Sequence, residues 1–478
     1  MFSPQSPEDS AAKSVYARIW RWHFYAGLYV APFMLMLSVT GLVMLGKGSI
    51  DDWLYADRLF VPTPGSAVVS IDEQLDAVAR RFPERTVMQI TPAFESARAS
   101  EILTDEAGVK SAVYLDPTSG VVLGEVLDSR RPGIVAANVH GTLLIGRVGD
   151  WLIEIAAGLG VVLVVSGLCL WWPRDRSWFT FRVARAPRRL LMRDLHKLTG
   201  VALAPVLVFY LVTGLTWTEV WGDRFTQAWN TFPAERSAPA GAPTHDIFSS
   251  TTHGDLLNSP GRLMAPWGIE QTAVPVSFVP AQHEAHHARP HRRRAPAPRV
   301  SADEAVAIAR RHGIEGRFFI RLPAGTDGVW TVSATGMSGL IADPRDELTV
   351  HVDQYSGDVR GIISWSDYSA AAKAMAVSVP LHQGSLGAWS VWTAALFCLA
   401  LIGLSITGLL TWWWRRPSRV WRLAAPPLPQ GMPTPRAAIA AAVVIGLAFP
   451  LVGLTFIVVG FLDGLVVQRI PAVRAVLE

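Results

Sequence analysis

Five stretches of the chain are apolar over lengths that match a bilayer, at about 20–46, 150–172, 197–219, 386–414 and 437–462, and each reads as a membrane helix. Two long segments between them carry a different pattern. In the first, Ser70 to Arg81 lays its apolar positions along one helix face, with Ser70 three residues ahead of Glu73, the spacing of a capping box. Strand-like alternation follows and closes on Asp116-Pro117-Thr118-Ser119-Gly120, a tight turn in which glycine accepts a positive φ and aspartate bonds nearby backbone. The second segment repeats this order. Ser301 to Arg311 is the helix, Ser301 and Glu304 are the capping pair, and Asp353-Gln354-Tyr355-Ser356-Gly357 is the turn. Each segment predicts a small α+β lobe.

The apolar stretches repeat as well. His23 stands four residues before Gly27 and seventeen before Thr40-Gly41-Leu42; His196 stands at the same distances from Gly200 and Thr213-Gly214-Leu215. His140 leads into a stretch ending Ser166-Gly167-Leu168 and Trp171-Trp172-Pro173-Arg174, and His382 into one ending Thr407-Gly408-Leu409 and Trp412-Trp413-Trp414-Arg415. The histidine-to-glycine spacings are 27 and 26, a slip that a loop before the helix absorbs. We read a tandem duplication with four histidines at matched positions. The second lobe is the longer one, since 117 residues separate His23 from His140 and 186 separate His196 from His382. Its extra length includes Pro266-Trp267 and Glu270, candidates to border a substrate surface, and a His/Arg-rich insert at 281–299. The tract from His283 to Arg294 within that insert reads as a solvated loop rather than a metal site.

The expected order is a disordered N-terminus (1–14), membrane helices at 15–46, 140–172, 194–219, 382–414 and 437–462, and lobes at 47–139 and 220–381. Arginine-rich loops fill 173–193 and 415–436, and a tail occupies 463–478. Composition fits an integral membrane protein: half of the residues are hydrophobic and only 17% are charged. Seven arginines fall in 173–193 and five in 415–436, which puts both loops and the N-terminus in the cytoplasm and the lobes in the periplasm of a bacterial inner membrane. Five crossings then make the C-terminus periplasmic. These loops account for the formal charge of +4, leaving no case for nucleic-acid binding. The two cysteines, Cys169 and Cys398, lie within apolar helices, so the lobes fold without disulfides. No Walker loop, dinucleotide-binding glycine motif, catalytic triad signature or His-Glu-x-x-His is present.

A histidine-bearing helix, an α+β lobe and a second such helix ending Trp-Trp-x-Arg, twice over, resemble the PepSY-associated transmembrane proteins across roughly 15–420. The lobes resemble PepSY domains. Members of that family include iron-regulated inner-membrane proteins and haem-containing reductases of ferric siderophores. The resemblance implies an α-helical membrane protein: a tandem-duplicated four-helix transmembrane bundle plus a fifth C-terminal helix, with two periplasmic α+β PepSY-like lobes. A pseudo-twofold axis along the membrane normal would bring like with like. His23 and His196 would then ligate one haem b on the inner side, and His140 and His382 a second on the outer side, with the layers roughly 20–25 Å apart. Bis-histidine ligation suits electron transfer, and no residue is assigned a catalytic role of its own.

Around these ligands, Gly27 and Gly200 would let the macrocycle lie close to a helix. Arg21, Arg189 and Arg193 inside, and Arg131 or Arg147 outside, are candidates to pair propionates; topology and surface charge also account for each. Thr40, Thr213, Ser166 and Thr407 read first as helix-packing residues. The implied partners are a ferric siderophore in the periplasm, a lipid bilayer, and a cytoplasmic reductase or membrane quinol as electron donor. Two other functions stay open. PepSY lobes also resemble the propeptides of thermolysin-like proteases, which suggests peptide binding or protease inhibition, and a permease for iron or its chelate is the third. Apolar helix centres, with only Pro205 and Pro450 as possible breaks, count against the permease.

Overall fold

The computed structural model describes residues 7–61, 68–172, 187–226, 248–278, 300–416, 422–426, 436–467 and 469–477. The His/Arg-rich insert, the start of the N-terminal segment and most of the two arginine-rich loops lie outside the described residues. The chain divides into two compact units, one of Met1–Leu42, Val139–Trp229 and Thr393–Glu478, the other of Val43–Asn138 and Asn230–Trp392. The helices begin with α1 (Pro7–Leu45), α2 (Lys47–Leu54), α3 (Ala56–Leu59), α4 (Ile71–Arg81), α5 (Pro132–Thr142), α6 (Arg147–Trp171) and α7 (Arg188–Leu215). They continue with α8 (His253–Leu257), α9 (Ala302–Arg311), α10 (Ala370–Gln383), α11 (Ala388–Trp413), α12 (Arg436–Ala448), α13 (Pro450–Leu462) and α14 (Pro471–Leu477). Five helical stretches are long and apolar enough to cross a membrane: Val15–Leu45, Arg147–Trp171, Arg188–Leu215, Ala388–Trp413 and Pro450–Val467.

The first unit is a helix bundle. Its core joins Val30 and Met34 of α1, Ala157, Leu159 and Val162 of α6, Leu207, Leu211 and Leu215 of α7, Phe397 and Leu401 of α11 and Val452 of α13. The outward faces stay apolar, with Val39, Leu396 and Leu399 exposed, the pattern of helices meant for lipid rather than water. Pro205 is carried inside α7, whereas Pro450 starts a new helix. The expected fifth helix at 437–462 is therefore two. Phe449, at φ −131° and ψ 88°, breaks it, and a Cβ built on Gly446 would meet the Gly453 Cα at 3.0 Å. Seven residues of straight helix span about 10 Å, so this contact requires the chain to double back, and two glycines permit it. Beyond the hairpin, Leu423 N donates to Val476 O at 2.8 Å and the Tyr25 hydroxyl donates to Leu477 O at 3.1 Å. The C-terminal residues thus return to the end of the bundle that holds the early turns of α1. A single fifth crossing would have left them at the other end.

The second unit is built on one sheet. Its strands are β1 (Thr86–Thr91), β2 (Ser100–Glu106), β3 (Val109–Leu115), β4 (Val122–Leu127), β7 (Phe319–Arg321), β8 (Val329–Ala334), β9 (Leu348–Asp353) and β10 (Val359–Ser364), while β5 (Phe248–Thr252) and β6 (Ala273–Pro275) pair separately. The order β10-β9-β8-β7-β1-β2-β3-β4 runs outward in sequence from a central antiparallel contact, Gln89 opposite Arg321 and Ile90 opposite Ile320. The two expected lobes therefore share one eight-stranded sheet. Both capping boxes form, Ser70 with Glu73 and Ser301 with Glu304. Both turns form too: Gly120 and Gly357 have φ of 71° and 78°, and Asp116 and Asp353 accept backbone N–H groups within their own turns. The helices α4 and α9 lie with their starts together. Asp72 accepts from Ala302 N and Asp303 N, and Asp303 accepts from Ile71 N and Asp72 N, at 2.8–3.2 Å. Leu75, Val78, Ile90, Ile102, Val306 and Ile320 form the apolar core beneath them.

Candidate functional site

In the bundle, His23 on α1 and His196 on α7 face each other, with ring centres 6.4 Å apart and planes at 78°. Each ring is held through Nδ1 by a neighbouring helix. His23 Nδ1 lies 2.9 Å from Ser166 Oγ, and that hydroxyl already donates its proton to Val162 O at 2.7 Å. The oxygen can then only accept, so His23 Nδ1 carries the hydrogen and Nε2 keeps its lone pair. His196 Nδ1 donates to Leu404 O at 3.0 Å; a carbonyl cannot donate, and the same tautomer follows. His140 obeys the same rule at the far end of α1. Its Nδ1 is 2.9 Å from Thr40 Oγ1, whose proton goes to Met36 O at 2.8 Å. Three histidines thus share one tautomer, the one that offers Nε2 to a metal.

His140 and His382 do not open the membrane helices. His140 sits in the last turn of α5, and Leu143, Leu144 and Gly146, all at positive φ, separate it from α6. His382 sits in the last turn of α10, where Gly384 at φ 70° ends the helix before α11 begins. Arg147 comes seven positions after His140 but Ala388 six after His382, while Gly167 and Gly408 each come twenty positions after the first residue of their helices. The one-residue slip is thus taken up in the connecting loops. His382 belongs to the second unit and His140 to the first.

The glycines beside the rings are not the expected ones. A Cβ on Gly167 would come 3.2 Å from His23 Cε1, and one on Gly408 would come 3.0 Å from His196 Cε1. Added Cβ atoms on Gly27 and Gly200 would instead meet Leu163 and Leu404 at 3.7 and 3.5 Å, ordinary helix packing. Ser166 orients a histidine and Thr40 does likewise, roles beyond the packing expected of them. Thr213 and Thr407 donate to Phe209 O and Gly403 O of their own helices.

The candidate arginines differ in what they already hold. Arg131 pairs with Asp51 at 2.6 Å and Glu101 at 3.2 Å, in a buried network that also contains Arg262 and Asp128. Burial would raise the Glu101 carboxyl, but Arg131 and Arg262 hold it down at about 2. Arg147 pairs with Glu219 at 2.7 Å and Arg193 with Asp194 at 3.0 Å. Arg131 and Arg147 are therefore engaged with carboxylates of the chain. Arg21 donates to Pro426 O at 3.2 Å. Trp267 is only 4% exposed and packs its turn on α10, and Glu270 accepts from Asn258 at 2.7 Å, so Trp267 is a core residue rather than the border of a surface. Sequence reasoning passed over one buried pair. His253 Nε2 and His351 Nε2 lie 2.9 Å apart, both rings fully buried. The one signal was His351 between Val350 and Val352 in a strand of otherwise core residues. Among the described residues, no three His, Cys, Asp or Glu side chains gather as a metal-ion cluster.

A bundle of apolar helices joined to a large sheet, with paired intramembrane histidines, defines a multi-pass membrane protein. The family described as PepSY-associated TM region matches residues 20–416, and the chain belongs to that family. No curated protein matches it.

Proposed function

We propose that the protein is an inner-membrane dihaem b-type electron-transfer protein that reduces a periplasmic ferric siderophore for iron uptake. The observation that carries this reading is the His23–His196 pair. Two imidazoles sharing one metal through bonds of about 2 Å would hold their ring centres roughly 6 Å apart, and the observed 6.4 Å agrees. Both rings keep Nε2 as the lone-pair nitrogen, and Gly167 and Gly408 set no side chain of their own against the Cε1 edges. An iron porphyrin held there supplies one-electron chemistry. On the same reading His140, presented by Thr40, is a ligand of the second haem. Thr40 lies seventeen residues along α1 from His23, so the layers stand about 25 Å apart. The matched histidine spacings and the outward-running strand order support a tandem duplication, and the arginine-rich loops support cytoplasmic loops with periplasmic lobes. Electrons would come from a cytoplasmic reductase or a membrane quinol.

A reduced-minus-oxidised visible spectrum of the purified protein tests the reading, together with His→Ala variants at 23, 140, 196 and 382. Low-spin b-type bands are expected, and each variant should lose about half of the haem. Full haem content in all four variants would remove the assignment. Protease inhibition by a protein that leaves every ferric chelate unreduced would favour the peptide-binding function instead.

A further inference from the structure

The end of the bundle that holds His23 and His196 contains a cation, Arg415, that no carboxylate among the described residues pairs with. Arg415 follows α11 by two residues, and its Nη2 donates to Ala424 O at 2.6 Å. Its guanidinium lies 5.4 Å from the Trp20 ring centre and 5.0 Å from that of Phe24, three residues before and one residue after His23. Two aromatic faces and a carbonyl fix where the fork sits. The Nε–H is buried and has no acceptor among the described residues. A buried donor left unmatched is a cost that an incoming oxygen acceptor removes. Burial comes first and the Arg189 charge second in lowering the proton affinity of this group, and no carboxylate among the described residues opposes them. Its position is also informative: Arg415 comes seven residues after Gly408, on the turn that leaves α11 and about 10 Å further along its direction. Gly408 is the residue that meets the His196 ring.

We propose that Arg415, through its buried Nε–H, is the docking point for a carboxylate of the porphyrin held by His23 and His196. This rests on the haem reading above. A phospholipid phosphate offers the same oxygen chemistry, and the test separates the two sources. Apoprotein of the full chain carrying His140→Ala, which keeps the inner site alone, is placed in nanodiscs and titrated with haem and with haem dimethyl ester. Soret absorbance reports binding. Before Arg415 is altered, haem should bind about 10- to 100-fold more tightly than the ester, the worth of a charge-assisted hydrogen bond. With Arg415→Gln the two ligands should bind alike, at the affinity the ester had before. Arg415→Lys keeps the charge without the planar fork and should recover only part of the preference.

Retention of the full preference in Arg415→Gln overturns the proposal. A change confined to thermal stability in phosphatidylglycerol against phosphatidylcholine discs, with the preference intact, assigns Arg415 to lipid and overturns it too. Should Arg415→Gln not fold, an undiminished preference in Arg415→Lys, or equal binding of the two ligands with Arg415 in place, is equally fatal. Failure of either ligand to bind before Arg415 is altered is a separate outcome. It removes the haem reading itself.

Discussion

The buried His253–His351 pair should make the sheet unit acid-sensitive, by an amount that follows from its hydrogen bonds. His253 Nδ1 faces Thr272 O at 2.7 Å, so that nitrogen carries a proton. His253 Nε2 is then an acceptor for His351 Nε2–H, and His351 Nδ1 accepts from the Thr331 hydroxyl at 3.0 Å. The chain of bonds closes with both rings neutral. Burial drives the His253 value down to about 4, and burial followed by the neighbouring His253 holds His351 well below the usual imidazole value; no carboxylate among the described residues acts on either ring. Both folded-state values lie below that of an unfolded imidazole, so the native state binds fewer protons. The stability is whole above about pH 6.5 and is lost as pH falls toward 4, at about 1.4 kcal/mol per histidine per pH unit. At pH 5 the loss is about 2 kcal/mol for each ring and about 4 kcal/mol together.

Hydrogen exchange in the full chain reads this locally. Normalised for intrinsic rates, protection of amides in α8 and β9 should fall by up to about a thousandfold between pH 7 and pH 5, the equilibrium equivalent of that energy. The double variant His253→Gln, His351→Gln should show most of this pH dependence gone. An unchanged slope in the double variant, or flat protection in the unaltered chain, would refute the reasoning.

Three further outcomes follow from contacts already described. On the dihaem proposal, Gly167→Leu and Gly408→Leu should each reduce haem content at the His23–His196 pair while leaving the other site loaded, as judged by haem stoichiometry and spectrum. Asp72→Ala or Asp303→Ala should each cost about 1–2 kcal/mol of stability, because each carboxylate caps the start of the facing helix, and the double variant should cost less than the sum in a thermal melt. A reporter fused after residue 478 should read the same side of the membrane as one at the N-terminus, since the chain doubles back at Phe449; opposite readings would contradict the hairpin.

What the sequence made legible was local or periodic. The capping serines, the Asp-to-Gly turns and the apolar stretches depend on residues within a few positions of one another, and all but the fifth stretch, broken at Phe449, are found as single helices or turns near where their spacing put them. The four histidines were legible for another reason, since a repeated interval needs no knowledge of contacts. What stayed hidden depends on pairing between distant residues. Nothing local to Ile90 or Ile320 says that they sit side by side and fuse two lobes into one sheet, and His253 meets His351 across 98 residues. Gly446 and Gly453 looked like ordinary small residues in an apolar run until the dihedrals at Phe449 turned the chain back on itself.

The same division explains the inner site. Spacing could mark His23 and His196, yet the choice of nitrogen is made by Ser166 and Leu404, on helices whose approach no interval records. A serine hydroxyl that has already given its proton to Val162 O can only receive one, and a carbonyl at Leu404 has none to give. His23 and His196 therefore reach one tautomer by two different acceptors. Exchange of Ser166 for alanine should thus weaken the His23 orientation, because a water or carbonyl must replace the lost oxygen. No single side-chain change at Leu404 should do the same to His196, since its acceptor is backbone. Equal haem loss from Ser166→Ala and Leu404→Ala, measured by stoichiometry, would show that packing rather than hydrogen bonding sets these rings.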